Sequence, residues 1–332
     1  MLAPMFTEPR DIDRRELAEV LERHWGLRDA VLDYLPVGFG SHHWRGSDAD
    51  GTARFVSVDD LEAGIQAGPD AAATFAALDR AFRTAVALGE AGLEFIVAQL
   101  PDDTGAVIRR LGDRYAVRVA RFVGGDTSAF GEYETVDERR EMGTLLGRLH
   151  AASGAVPGGL PRREDFALPS RAALEEALGD LATPWCSGPF GERTRDLLRR
   201  NAQSVAERLE AYDALVARVR AGPGPWVVTH GEPHRANLIR DHAGGLHLVD
   251  WDTTLFAPRE RDLGMVLDGE RTGWAEYTAH AGPVDLNEEA VALYRRWWDL
   301  AEIGIFVAEF RHRHGDSEDT KVSWEALNDY LP

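Results

Sequence analysis

Apolar residues recur at helical spacing in residues 14–25, where Leu17, Val20, Leu21 and Trp25 follow the acidic Asp11 and Asp13, so a short helix is predicted to open the fold. Residues 31–35, 43–46 and 54–58 are short apolar or alternating runs. They are separated by the turn Gly38, Phe39, Gly40, Ser41 and by Asp50-Gly51, a strong hairpin signal, and predict three antiparallel strands. An Ala/Leu/Phe-rich helix is predicted over 71–89, and two further strands over 95–100 and 115–123. Beyond Gly124-Gly125 the period changes. Long helices are predicted over 136–151, 171–181, 193–219 and 286–312, with short β-rich runs at 226–229 and 246–249, and the cluster from Gly222 to Pro225 is a turn before the first of these runs. Strands first and helices later indicate an α+β arrangement, and 332 residues favour two lobes over a single core.

Composition narrows the classes. The hydrophobic fraction of 44% and charged fraction of 28% are those of a globular chain with a sizeable core. Pro4, Pro9 and acidic residues near the start give no signal-peptide pattern, and no window is apolar enough for a membrane span, so a cytoplasmic, soluble protein is expected. The single cysteine, Cys186, suits a reducing compartment and is expected to be a packing residue. With 37 basic and 56 acidic residues the net charge is −19, which disfavours nucleic acid as a partner and favours a cationic one. All the basic residues but Lys321 are arginine.

The chemistry concentrates in residues 229–237 (THGEPHRAN), 248–252 (LVDWD) and 258–263 (PRERDL). A loop between two short strands carries a carboxylate, Glu232, and an amide, Asn237, and the next strand delivers Asp250 at its end. Phosphoryl transfer needs a carboxylate to accept or orient the attacking hydroxyl and oxygen ligands for Mg²⁺ on the phosphates. All three oxygen groups stand in the required order.

These motifs resemble the catalytic and metal-binding loops of the aminoglycoside phosphotransferase family of protein-kinase-like small-molecule kinases. Those loops usually read His-Gly-Asp, four residues, Asn, and later Asp-Trp or Asp-Phe. The antibiotic phosphotransferases of the spectinomycin type are the nearest in character. The resemblance extends over most of the chain. It implies a two-lobed fold: a small antiparallel-sheet N-lobe (1–120), a hinge (121–126) and a larger helical C-lobe (127–332). It also implies ATP or GTP with Mg²⁺ as cofactors, and antibiotic resistance as a role. Glu232 then takes the catalytic-base position, His230 the supporting first position of the loop, Asn237 and Asp250 the Mg²⁺ ligands, and Asp262 a structural brace. Gly38, Gly40 and Ser41 would drape over the phosphates, Ser57 falls where a phosphate-binding lysine is usual, and Arg121, Phe122 and Val123 form the adenine-facing hinge. Two positions depart from the family pattern: Glu232 replaces Asp, and Ser57 replaces the lysine. Arg45 or Arg83 could supply the missing cation, whereas Arg54 alternates to the opposite face of its strand from Ser57.

Three other readings compete. His230 and His234, four apart around Glu232, suggest zinc, but Gly231 and Pro233 disfavour the continuous helix that such a motif needs. Ser-His-Asp hydrolysis lacks a nucleophile elbow. A catalytically silent pseudokinase binding a nucleotide or metabolite is the alternative function, motivated by the two departures. Nine acidic residues against three arginines between Asp268 and Phe310 suggest an amine-bearing small-molecule acceptor, such as an aminoglycoside or aminocyclitol.

Overall fold

The computed structural model describes residues 5–48, 50–62, 70–222 and 224–331. Pro4 and Pro223, both used above, lie outside them. The chain opens with α1 (Arg14–Trp25), started by Asp13, whose side chain accepts from the Arg15 N–H, and stopped by Gly26 in the left-handed region. Strands β1 (Val31–Leu35), β2 (Ser41–Ser47) and β3 (Ala53–Asp60) follow, then α2 (Ala71–Glu90), β4 (Arg109–Leu111) and β5 (Tyr115–Arg121). They form one antiparallel sheet in the order β1-β2-β3-β5-β4.

Period-two alternation sorts the residues of this sheet. Val56, Val58, Val117 and Val119 face α1 and pack with Leu17 and Leu21. The other face carries Ser57 and Asp59, paired in register with Arg118 and Ala116. That polar face is buried, which marks it as a functional surface needing internal partners.

The helical region contains β6 (Gly125–Thr127), α3 (Val136–Ala151), β7 (Arg162–Arg163), α4 (Arg171–Gly179), α5 (Gly191–Ala221), β8 (Trp226–Thr229), β9 (Leu238–Asp241), β10 (Leu246–Leu248) and β11 (Leu255–Pro258). It ends with α6 (Glu260–Val266), α7 (Trp274–Ala281), α8 (Glu288–Arg311) and α9 (Glu318–Tyr330). Two three-stranded sheets, β10-β9-β6 and β7-β11-β8, hold the loops between them. One core joins α2 to α3, α6 and α7 through Phe82, Leu146, Leu248 and Trp251. A second lies among α4, α5, α8 and α9 around Leu198, Phe306 and Phe310. The whole is a two-lobed α+β fold of the protein-kinase-like kind, with an antiparallel sheet in the first lobe and helices in the second.

Two expectations need correction. Residues 95–100 form no strand. Phe95 and Val97 bond to Leu248, whereas Leu100 bonds to Val119, so the segment wedges between two lobes instead of extending one ladder. Its apolar residues are buried for that reason, which is why the pattern reads like a strand. Cys186, expected to pack, is exposed. No helix among the described residues is long and apolar enough to cross a membrane.

One packing detail on α8 yields a stability prediction. Glu309 is largely buried against α9, and burial raises its pKa from 4.5 to about 7, only partly offset by the Ser323 hydroxyl. A raised carboxyl pKa stabilises the fold when the group is protonated, and this contribution is lost as pH rises from the unfolded value through about 7. Glu309→Gln, which mimics the protonated acid, should therefore raise stability at pH 8 by on the order of 2–3 kcal/mol, and at pH 5 by less than half as much. Urea midpoints of the two proteins at both pH values check this.

Candidate active site

The loop after β8 is held by one buried carboxylate. Asp262, on α6, has no solvent exposure; its Oδ2 accepts from the His230 main-chain nitrogen at 2.9 Å and its Oδ1 from that of Gly231 at 2.7 Å. His150 Nε2 lies 3.0 Å from Oδ2, and His150 Nδ1 is 2.9 Å from the Tyr277 hydroxyl, which in turn accepts from Arg259 at 3.1 Å. The network assigns the proton to Nε2, donating to Asp262, and leaves Nδ1 to accept from Tyr277. Burial works against the Asp262 charge, but the hydrogen bond from His150, with the Arg261 guanidinium nearby, outweighs it, so the carboxyl titrates below its ordinary range. Gly231 has φ +104°, and a Cβ there would collide with the Arg261 guanidinium, itself bonded to Thr229 Oγ1 at 3.0 Å.

His230 is buried, with Nε2 donating to the Val249 carbonyl at 2.8 Å and Nδ1 accepting from the Glu232 N–H at 3.2 Å. Burial pushes its pKa down to about 4, so it is neutral. Both ring nitrogens are engaged, which rules out the zinc reading and makes His230 the link between the loop and the strand end before Asp250. Beyond it, Tyr133 donates to the Pro233 carbonyl at 2.6 Å and Arg235 pairs with Glu134. Glu232 Oε2 lies 3.8 Å from His234 Nε2. Burial opposes ionisation of Glu232, but His234 prevails and holds the carboxyl below its ordinary range. Asn237 donates from Nδ2 to the Glu232 main-chain carbonyl at 2.9 Å, while its main-chain carbonyl accepts from the Val249 N–H at 3.0 Å.

Asp250 follows β10 in the left-handed region, φ 66°, a conformation that costs a residue with a side chain on the order of 1 kcal/mol and persists where the surroundings impose it. Trp251, fully buried, fixes it by packing edge-on to His230 at 4.6 Å and donating to the Leu248 carbonyl at 3.0 Å. Burial raises the pKa of Asp250, with Glu232 and Asp59 adding to the rise and Arg118 opposing it; Asp252 is raised further by burial and then by Asp250. Carboxylates gathered in this way favour a bound cation. No three His, Cys, Asp or Glu residues among those described close into a metal cage. The residues that could hold a cation are those of an open set: the amide oxygen of Asn237 and the carboxylates of Asp250 and Asp252. It suits Mg²⁺, which keeps several waters and binds through one or two carboxylates plus phosphate.

On the sheet above, Gly38 and Gly40 both have positive φ, 80° and 82°, and Ser41 Oγ donates to Asp59 Oδ1 at 2.6 Å. Ser57 Oγ is bonded to His43 Nδ1 at 3.0 Å, and burial pushes His43 down to about 3, leaving it neutral. Arg121 reaches His247 at 2.9 Å, and Phe122 sits under Arg45 at 5.1 Å with Val123 half-buried beside it. Arg45 therefore stacks on Phe122, and the exposed Arg83 pairs with Asp79 at 3.9 Å. The residues that sequence reasoning missed here are Asp59, Arg118 and Asp252. Strand alternation from Ser57, and the lone basic residue within the apolar run of β5, were the available signals for the first two.

The sequence profile of the APH family, the phosphotransferase enzyme family, matches residues 68–294. The chain belongs to the APH phosphotransferase family. It is 28% identical over 348 residues to Protein StrN of Streptomyces griseus, covering 99% of this chain and 97% of that one. Its fold is similar to spectinomycin phosphotransferase APH(9)-Ia, crystallised with ADP and spectinomycin: TM-score 0.72, 14% identity, 95% of this chain and 93% of that one. A microcompartment-associated aminopropanol kinase gives a TM-score of 0.59 at 17% identity over 96% and 95% of the two chains. An amicoumacin kinase, crystallised with AMP-PNP and Ca²⁺, gives 0.55 at 14% over 90% and 87%. Members of this family act on small molecules.

In this APH-family chain the acidic residues from Asp268 onward are not one open surface. Asp268, Glu276, Glu288 and Glu289 pair with Arg139, Arg140, Arg271 and Arg218. What stands beside the loop is aromatic: Phe130 packs edge-on to His234 at 4.8 Å and near-parallel to Trp298 at 6.2 Å.

The Asp262 clamp makes a direct prediction. Asp262→Asn keeps the shape but can accept only one of the two main-chain hydrogen bonds, so it should lower unfolding stability by on the order of 3 kcal/mol and loosen the loop. Chemical denaturation measures the first effect, and faster proteolysis within residues 229–237 the second.

Proposed function

We propose that this APH-family protein transfers the terminal phosphoryl group of ATP, bound with Mg²⁺, to a hydroxyl of a small amine-bearing molecule such as an aminoglycoside or aminocyclitol. The observation that carries the reading is the position of Asn237, bonded at once to the backbone of Glu232 and to that of Val249, the residue before Asp250. One residue thus ties the main chain beside a carboxylate able to take a proton, through its side-chain amide, to the strand end before Asp250, through its main-chain carbonyl. Glu232 accepts the hydroxyl proton as the acceptor oxygen bonds to phosphorus and the bond to the bridging oxygen breaks, releasing ADP. Asn237 and Asp250 would hold Mg²⁺, which when bound neutralises charge on the phosphate oxygens. Gly38, Gly40 and Ser41 cover the phosphates, Ser57 lines the same face, and Arg121, Phe122 and Val123 form the hinge within 121–126, between lobes at 1–120 and 127–332. His230 keeps the loop in register.

Similar folds crystallised with ADP, AMP and AMP-PNP support the nucleotide, and spectinomycin and amicoumacin in such structures support a natural-product acceptor. The aromatic wall of Phe130 and Trp298 offers a flat face for a sugar or cyclitol ring.

Turnover of ATP with Mg²⁺ across a panel of hydroxylated antibiotics and metabolites tests this. Asp250→Ala should abolish Mg²⁺-dependent transfer; retained turnover contradicts the assignment. Glu232→Asp withdraws the carboxylate by roughly one ångström in a loop shaped around Glu, and should slow transfer by about 10²-fold. A rate increase would mean that Glu detunes the site, and nucleotide binding with no transfer to any acceptor would favour the silent pseudokinase.

A further inference from the structure

We propose that Arg118, on β5, is the cation that contacts the nucleotide phosphates, taking over from the neighbouring strand the task for which β3 has no lysine; this rests on the nucleotide-dependent reading above. Arg118 is 5% exposed. Its Nε lies 3.0 Å from Asp59 Oδ2 and its Nη2 3.2 Å from Asp59 Oδ1, a two-point pairing. The same Nη2 is 3.9 Å from Asp250 Oδ1. Among the described residues no other arginine or lysine is ion-paired with Asp250, Asp252 or Glu232. The flat face of the guanidinium lies 4.6 Å from the Phe82 ring on α2, which fixes its plane.

Sheet register explains why the task can move. Ser57 and Arg118 are cross-strand partners, so their side chains leave the sheet on the same face. Ser57 is already bonded to the neutral His43, while Arg118 projects from the adjacent position toward the end of β10. The same network reaches the glycine turn, because Ser41, directly after Gly40, donates to the Asp59 oxygen that also receives Arg118. Glycine turn, arginine and candidate metal ligand are thus joined through one carboxylate.

A purely structural ion pair gives a poor account of this arrangement. A buried pair is seldom better for stability than apolar residues of the same size, and the pairing with Asp59 alone does not require Nη2 to lie beside Asp250 as well. Phosphate oxygens are natural partners for a guanidinium presented in this way. The pairing also differs in kind from that of protein kinases, where the β3 lysine is held by a glutamate on a mobile helix. Here both partners belong to adjacent strands, and α2 supplies an aromatic ring. The ion pair is therefore set by the sheet, and α2 contributes only the ring on which the guanidinium lies.

Equilibrium binding of ATP and of adenosine to the full-length protein, by calorimetry without divalent metal, tests the proposal. Arg118→Met alone leaves Asp59 buried and unpaired, so Arg118→Met/Asp59→Asn is compared with Asp59→Asn and with Arg118→Lys. The wild type should prefer ATP to adenosine. The double variant should lose at least about 30-fold in ATP affinity relative to Asp59→Asn with adenosine affinity unchanged, and Arg118→Lys should recover a large part of it. Unchanged ATP affinity in the double variant overturns the proposal, as does an equal loss for ATP and adenosine, which would make Arg118 a structural support only. A wild type with no preference for ATP removes the nucleotide reading itself and this proposal with it.

Discussion

Asp262 accepts hydrogen bonds from two successive main-chain nitrogens at the start of the loop after β8, and nearly every other feature of the site takes its position from that clamp. Once His230 and Gly231 are fixed, the His230 ring reaches Val249 and sets the strand end, Trp251 packs on the ring, and Asp250 is turned into a left-handed conformation. The clamp is stiff because the carboxylate is buried and its charge is answered from behind by the relay of His150, Tyr277 and Arg259. A buried carboxylate without such partners would be protonated, and one protonated oxygen would no longer accept from the backbone.

The distribution of charge follows from the same geometry. The loops bring Glu232, Asp250 and Asp252 together, so that burial and then their mutual repulsion push the Asp250 and Asp252 carboxyls up. Arg118, 3.9 Å from Asp250, is the cationic counterweight within the protein, and the His234 ring lies 3.8 Å from Glu232. The arrangement stays short of positive charge, the condition in which a cation binds with most benefit.

Much of this was legible in the sequence. The helical and alternating periods marked the sheet and most of the long helices, and THGEPHRAN followed by LVDWD placed Glu232, Asn237 and Asp250 in one segment. The brace at Asp262 was legible from its motif as well. Burial alone misled at 95–100, where apolar residues wedge between lobes and share no ladder. The short strands β4, β6, β7, β9 and β11 were not predicted, because two to four residues carry too little period unless an apolar run marks them, as it does at β8 and β10. Arg118 was missed because strand alternation was followed along β3 but not across to β5, and cross-strand register cannot be read until the order of the strands is known. The ion pairs that occupy Glu276, Glu288 and Glu289 likewise depend on neighbours brought in from distant helices.

The central claim is that the amide and carboxylate after β8 and β10 form one cation-binding centre for a nucleotide. A crystal structure of the protein with ADP and Mn²⁺, a substitute for Mg²⁺ that scatters anomalously, tests it most directly. The account predicts an anomalous peak bridging Asn237 Oδ1, the Asp250 carboxylate and the ADP phosphates. A peak elsewhere, or ADP bound with its phosphates away from Asp250, would contradict it.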